Sequence, residues 1–351
     1  MFLAIKEMRY AKLRYGLIIG MMLLIAYVVF MLSGLARGLA EEFKKGVEDW
    51  QAQEIILSEE ANKTLTASQL TMDDFDQITA KQKAPVGIYN GAIKGAEQNV
   101  TVFGTAEKAF LLPTLIKGTR FKQNNEIIIP ENLAKDGYHL GDTIKIGNYP
   151  EALTIVGITS ENYYTVTPVI YTNLETWTQL KFGDQPLNNQ PINAVVTKEK
   201  AQLPSTNEKM TSLTTPELIE NIPGYSAQNL TLDAMIYFLF VVATAVVGIF
   251  MYVITLQKTA IFGVMKAQGI RNSFLANSLI AQAFIVGVIG VGLAIFLAFG
   301  TSLVLPDAMP FAIIWSQWGL YSGLLISVAI IGGLFSIRTV TKVDPITAIG
   351  G

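Results

Sequence analysis

Four long apolar runs, at residues 15–36, 234–257, 272–306 and 308–337, stand out from a chain whose other positions alternate between apolar and polar on a much shorter scale. None contains an Asp, Glu, Lys or Arg. Crossing roughly 30 Å of hydrocarbon takes about 20 apolar residues in a helix, so each run predicts a transmembrane span. One run precedes residues 37–229 and three follow them. The fold class expected is therefore integral membrane α-helical, with four transmembrane helices in a one-plus-three order. A large extracytoplasmic α+β domain is inserted between helices 1 and 2.

The first helix is expected to continue past the membrane surface. Leu32, Leu35, Leu39 and Phe43 recur at three- and four-residue spacing, with Arg37, Glu41, Glu42 and Lys44 on the other faces, the pattern of an amphipathic stalk. Gly34 and Gly38 make a small-xxx-small pair at its base, which either lets a second helix approach closely, as in a dimer interface, or reflects the ordinary frequency of glycine in membrane helices. Beyond the stalk, short β-branched runs bounded by Gly, Pro or Asn predict strands at 54–57, 86–89, 100–103, 126–129, 143–146, 153–158 and 169–171. Two helices are expected among them. Thr71 caps one running to residue 79, with Asp73 and Asp74 in its first turn, and the other occupies 130–135. Gly141-Asp142 reads as a tight turn.

Charge gives the orientation. Lys6, Arg9, Lys12 and Arg14 precede the first span, Lys258, Lys266 and Arg271 lie between the second and third, and Arg338 and Lys342 follow the fourth. Residues 37–229 carry 17 Lys/Arg against 24 Asp/Glu. Basic residues beside a span resist translocation, so segments 1–14, 258–271 and 338–351 are expected in the cytoplasm with both termini, and 37–229 outside. The other reading of residues 1–36 is a cleaved signal peptide, but the apolar core is longer than a signal peptide's and no small-x-small site directly follows it.

Composition removes several functional classes. With no cysteine and one histidine, the outer domain is held by its core without disulfides, as in many bacterial surface proteins. A catalytic centre would have to rest on carboxylates, since neither a Cys nucleophile nor Gly-x-Ser-x-Gly occurs. No glycine-rich loop ends in Gly-Lys-Ser or Gly-Lys-Thr, so the chain lacks the phosphate cradle of a P-loop ATPase. The acidic outer region offers nucleic acid no basic stripe. Uncharged spans disfavour an ion or proton path.

Several motifs together resemble one family. Glu126-Ile-Ile-Ile-Pro130 and His139-Leu-Gly-Asp-Thr143 in the outer region, Ile261-Phe-Gly-Val-Met-Lys-Ala-Gln-Gly-Ile270 between spans two and three, and Val343-Asp-Pro-Ile-Thr-Ala-Ile-Gly350 at the end resemble the FtsX/MacB (type VII) ABC transporter permeases. Met1-Phe-Leu-Ala-Ile-Lys-Glu7 and Ser33-Gly-Leu-Ala-Arg-Gly-Leu39 look most like the haem-exporter permeases of the HrtB type from Gram-positive bacteria. Where others carry an acidic residue, this loop has Ile261-Phe262. The resemblance implies a homodimer in the plasma membrane with two copies of a cytosolic ABC ATPase, coupled through Lys258, Phe262, Met265, Lys266 and Gly269, and with Gly34 and Gly38 near the dimer axis. It also implies mechanotransmission that expels haem, a transported ligand and not a cofactor. Export of another hydrophobic or peptide ligand, or cargo-free signalling to an outer partner, fits the same spans.

Haem iron takes Tyr, His, Met or Cys. His139 precedes a turn and reads as a surface residue, which leaves Tyr and Met. Tyr27 and Met31 share a helix face, and Met235 and Tyr237 open the second span. These residues either line a cleft open to membrane lipid or serve as interfacial anchors and packing. The resemblance adds Tyr164, with Tyr237, as a haem ligand; Phe43 on the stalk either covers the ring's face or belongs to an apolar stalk seam. The orientation has a direct test: protease added outside intact cells is expected to cut near Lys81 and to spare the segment around Lys266, and the reverse pattern would invert the topology.

Overall fold

The computed structural model describes residues 2–96, 98–204, 209–306 and 309–341. The closing Val343–Gly350 motif and most of the expected cytoplasmic tail lie outside the described residues. The chain divides into two compact units, residues 1–38 with 229–351, and residues 39–228.

A short helix α1 (Phe2–Tyr10) leads into α2 (Lys12–Glu48). At 1.5 Å per residue α2 is about 55 Å long, well beyond the hydrocarbon, as the apolar run followed by an amphipathic stretch predicts. Its buried positions, Tyr15, Ile18, Met22, Ala26, Val29 and Ser33, recur every three or four residues and form one seam. Leu17, Leu24 and Val28 on the other side are exposed, as suits residues facing lipid.

The outer unit contains β1 (Glu54–Ser58), β2 (Leu70–Thr71), α3 (Met72–Gln77), β3 (Lys83–Ile93), β4 (Gln98–Thr105), β5 (Leu115–Gly118), β6 (Glu126–Pro130), α4 (Glu131–Lys135), β7 (Thr143–Ile144) and β8 (Leu153–Thr159). It continues through β9 (Tyr163–Tyr164), β10 (Thr167–Asn173), α5 (Leu174–Phe182), β11 (Pro191–Ile192), β12 (Ala194–Thr197), β13 (Met210–Thr214) and α6 (Thr215–Glu220). One mixed sheet runs β13-β1-β12-β3-β4-β10-β6-β8-β5, with β7 on β8 and β9 on β10. Its parallel pairs are β4 with β10 and β6 with β8. Thr71 caps α3 through a reciprocal pair of bonds with Asp74, as its sequence implies, although the helix ends at Gln77. The strand expected at 143–146 stops at Ile144, and Ile146 forms an isolated bridge with Ile93.

Helices α5 and α6 were not expected. Asn173 caps α5 by accepting from the Thr176 N–H, and Thr214 with Glu217 forms a capping box at α6. Trp177 of α5 is fully buried over β3 and β4, where Gly87 and Gly104 leave room for the indole.

The chain returns through α7 (Tyr225–Gln257), α8 (Thr259–Ala267), α9 (Asn272–Ser302) and α10 (Trp315–Thr341). Together with α2, α7, α9 and α10 are long and apolar enough to cross a membrane. The pattern started the fourth span at 308, but α10 begins only at Trp315. Pro310 cannot donate a backbone N–H, and residues 310–314 are neither helix nor strand. Close contacts join the membrane helices. A Cβ on Gly290 of α9 would lie 2.8 Å from Met22 Cγ of α2, and one on Gly332 of α10 would lie 2.9 Å from the Gly248 nitrogen of α7.

Trp177 sets a test of the outer unit. A Cβ added at Gly104 would collide with Trp177 Cβ, and overpacking of this kind costs about 1–3 kcal/mol. Gly104→Ala is expected to lower the thermal unfolding midpoint of the purified full chain, and an unchanged midpoint would mean that α5 shifts freely.

Candidate functional site

At the basic end of the membrane unit, α1, α2, α9 and the residue joining α7 to α8 meet in a polar cluster. Lys258 Nζ donates to Glu7 Oε2 at 2.9 Å and to the Tyr15 hydroxyl at 3.2 Å. Tyr15 donates to Gln282 Oε1 at 2.5 Å, and Gln282 Nε2 donates to the same Glu7 carboxylate and to Ser278 Oγ at 3.4 Å. The Lys258 and Glu7 side chains are only 12% and 16% exposed, so this ion pair is largely shielded from water. Its strength comes from the hydrogen bonds that satisfy both partners.

Lys258 is engaged within the chain and is not a free cation for a partner subunit. Phe262 is buried in the membrane core, and Met265 packs against that core. Lys266 is half-buried, and Gly269 (φ +85°) is exposed where α8 turns into α9. The large apolar side chains that α8 presents outward are Ile261 and Val264, 56% and 43% exposed. They stand three residues apart and so share a face. Only burial of Phe262 on the opposite side distinguishes them from other apolar positions of the loop.

Gly34 and Gly38 are occupied from within the chain. A Cβ at Gly34 would collide with the Phe311 ring, and one at Gly38 with the Pro310 carbonyl group. Ala312 N–H donates to the Gly34 carbonyl at 3.0 Å, and Arg37 Nε donates to Gln317 Oε1 at 2.9 Å. Within the chain, the segment before α10 fills the face of these glycines, which the family resemblance places near a dimer axis. Small residues serve close approach here, but the partner is an irregular segment and not a second helix.

The proposed haem residues fall in different environments. Tyr164 of β9 is buried in the outer core with its ring 5.6 Å from that of Phe103, and burial pushes its phenol above the ordinary tyrosine range. Burial, reinforced by Glu161 and Glu42, likewise pushes Tyr163 up to about 12. A protonated, enclosed phenol is a poor iron ligand, so Tyr164 could serve only if this core opened. Phe43 is packed in the same core, 6.0 Å from the Tyr225 ring, and presents no free face.

The hairpin that carries Tyr164 is strained. Thr165 and Val166 have φ of 48° and 66°, unusual for β-branched residues. Their N–H groups donate to the carbonyls of Phe43 and Glu42 at 3.1 and 3.0 Å, which holds the turn against the end of α2. No sequence pattern marks this turn, because Asn-Gly would be the usual choice.

In the membrane unit, Tyr27 is half-buried with its hydroxyl 3.1 Å from Thr301 Oγ1, and Met31 is also half-buried. Tyr237 and Met235 on α7 are 63% and 52% exposed. Phe238 and Val241 continue that exposed face. Of the six residues named for haem, these two alone present most of their surface. His139 is an exposed turn residue 3.6 Å from Asp142.

Residues 15–213 match the MacB-like periplasmic core domain and residues 234–345 the FtsX-like permease C-terminal domain. HrtB of Staphylococcus haemolyticus, a permease named by inference for a hemin transport system, is 31% identical over all of this chain and 99% of its own length. An uncharacterized ABC transporter permease of Mycobacterium tuberculosis is 25% identical over the same shares of the two chains. Among solved structures, the extracellular domain of the ABC-type transporter YknZ from Gram-positive bacteria aligns with 42% of this chain and 84% of its own, at 16% identity and a TM-score of 0.32.

Removing one partner of a shielded ion pair costs about 3–5 kcal/mol, whereas replacing both with apolar groups is close to neutral. Glu7→Leu and Lys258→Met are each expected to lower the thermal midpoint of the full chain in detergent, and the double variant to recover most of the loss. A loss in the double variant equal to the sum of the two single losses would show that the two residues act independently.

Proposed function

Because the chain belongs to the FtsX-like, MacB-like family of ABC transporter permeases, we propose that it is the membrane subunit of an ATP-driven exporter that removes haem from the outer leaflet of the cell membrane. The observation that carries this reading is the 31% identity, from end to end, with a permease named for hemin transport. The exposed α7 face adds chemical support. A flat apolar ring suits Phe238 and Val241, while Tyr237 and Met235 offer a phenol and a thioether to iron.

In this reading a separate ATPase supplies the energy, since the sequence lacks a P-loop. Two copies grip α8 through Ile261 and Val264, and two permeases pair as a homodimer. The basic end lies in the cytoplasm with both termini, and residues 39–228 lie outside. The helix α2 runs from Lys12 to Glu48, and in this reading it carries displacement away from the basic end. The shielded pair Glu7 and Lys258 ties that end to the start of α8, which is where an ATPase would push.

Haem titration followed by absorbance tests the cargo. The purified full chain is expected to give a saturable bound spectrum. Tyr237→Phe is expected to shift that spectrum and weaken affinity, with Tyr164→Phe leaving it unchanged. Absence of any bound spectrum in the wild-type chain with its ATPase would overturn haem as cargo and favour a cargo-free signalling permease.

A further inference from the structure

A groove of about 1190 Å³ opens beside the polar cluster at the basic end of the membrane unit. Arg9, Lys12, Arg14 and Lys258 line it, together with Glu7 as its one carboxylate among the described residues. That carboxylate is already paired with Lys258. Arg9, Lys12 and Arg14 are all exposed, so the groove keeps a marked excess of positive charge. Its other walls are Tyr10, Leu13 and Ile261, which makes it unlike a simple solvated patch.

A second cavity, of about 550 Å³, shares Lys12 and Leu13 with the first and runs along α2 past Gly16, Leu17, Gly20 and Leu24. It is almost wholly apolar in lining. A Cβ on Gly16 or Gly20 would meet nothing within 4 Å, so these glycines, one helical turn apart, hollow the helix surface without packing against another part of the chain. Leu17 and Leu24 flank the hollow and are exposed. A basic compartment thus continues into an apolar trough that follows a transmembrane helix, and Lys12 and Leu13 belong to both.

We propose that these joined cavities form a binding site for one anionic phospholipid. Arg9, Lys12 and Arg14 take its phosphate headgroup, and an acyl chain lies in the trough over Gly16 and Gly20. The charge selects a net-anionic headgroup over a zwitterionic one, whose ammonium offsets its phosphate, because basic pockets beside membrane helices gain from each cation near an anionic lipid. The trough selects a lipid over free phosphate, which has nothing to place there. A lipid held here bridges α1 and α2 next to the ion pair between Glu7 and Lys258. The site is independent of the cargo proposed above and stands whichever leaflet the basic end faces.

Native mass spectrometry of the detergent-purified full chain, titrated with phosphatidylglycerol or with phosphatidylcholine of the same acyl chains, tests the site. Phosphatidylglycerol is expected to saturate at one copy per chain at concentrations where phosphatidylcholine does not bind. Each of Arg9→Gln and Arg14→Gln is expected to weaken it about fivefold, and Gly16→Leu, which fills open space, to weaken it without lowering the thermal midpoint. Arg271→Gln, a cation outside the groove, is expected to leave it unchanged. An equal loss in Arg271→Gln would reduce the effect to diffuse surface charge and overturn the site. Displacement by millimolar inorganic phosphate, with Gly16→Leu still binding, would leave an anion pocket and no lipid site. Retained lipid but loss of a dimer in Gly16→Leu would make the trough a helix-packing surface instead.

Discussion

Helices inside a bilayer gain little from burying apolar surface against one another, because lipid tails are as apolar as leucine; close packing and interior polar contacts must hold them. The membrane unit follows that constraint throughout. Gly290 receives Met22, and Gly248 meets Gly332 across α7 and α10. Gly34 and Gly38 admit Pro310 and Phe311. Where the bundle reaches its basic end, the ion pair of Glu7 and Lys258, with Tyr15 and Gln282 around it, replaces packing by hydrogen bonding. Few of the unit's described leucines and isoleucines are fully buried; Leu17, Leu24, Leu293 and Leu297 are among those that face outward, where they match the lipid.

The outer unit answers to water instead. Its sheet buries Trp50, Phe103, Tyr164 and Tyr171 on one side and Trp177 with Ile127, Ile129 and Ile170 on the other. This hydrophobic burial is strong enough to hold the β9 to β10 turn in a conformation that costs about 1–3 kcal/mol per strained residue. The bonds from Thr165 and Val166 to the carbonyls at the end of α2 add to that restraint. The strained turn lies against the end of α2.

Burial also reassigns residues among roles. Lys258 and Phe262 carry the features of a docking surface in the sequence, namely a cation and an aromatic ring in a short loop. The structure turns both inward, and Ile261 and Val264 remain outside. Tyr164 has the chemistry of an iron ligand but the environment of a core residue, while Tyr237 and Met235 keep both the chemistry and the access.

The sequence by itself determined the four spans, because the absence of charge over about 20 residues leaves a helix across the membrane as the one stable outcome. It also determined the stalk, from the spacing of Leu35, Leu39 and Phe43, and the caps at Thr71 and the turn at Gly141, since these depend on neighbours within one turn of chain. The late start of α10 was half-legible in Pro310. Only the tertiary structure decided which glycines are filled and by what, why Trp177 makes α5 part of the core, and which side of α8 is left open. Those outcomes depend on residues hundreds of positions apart, such as Gly34 with Phe311 and Glu7 with Lys258, and no local periodicity encodes which distant side chain will occupy a given space.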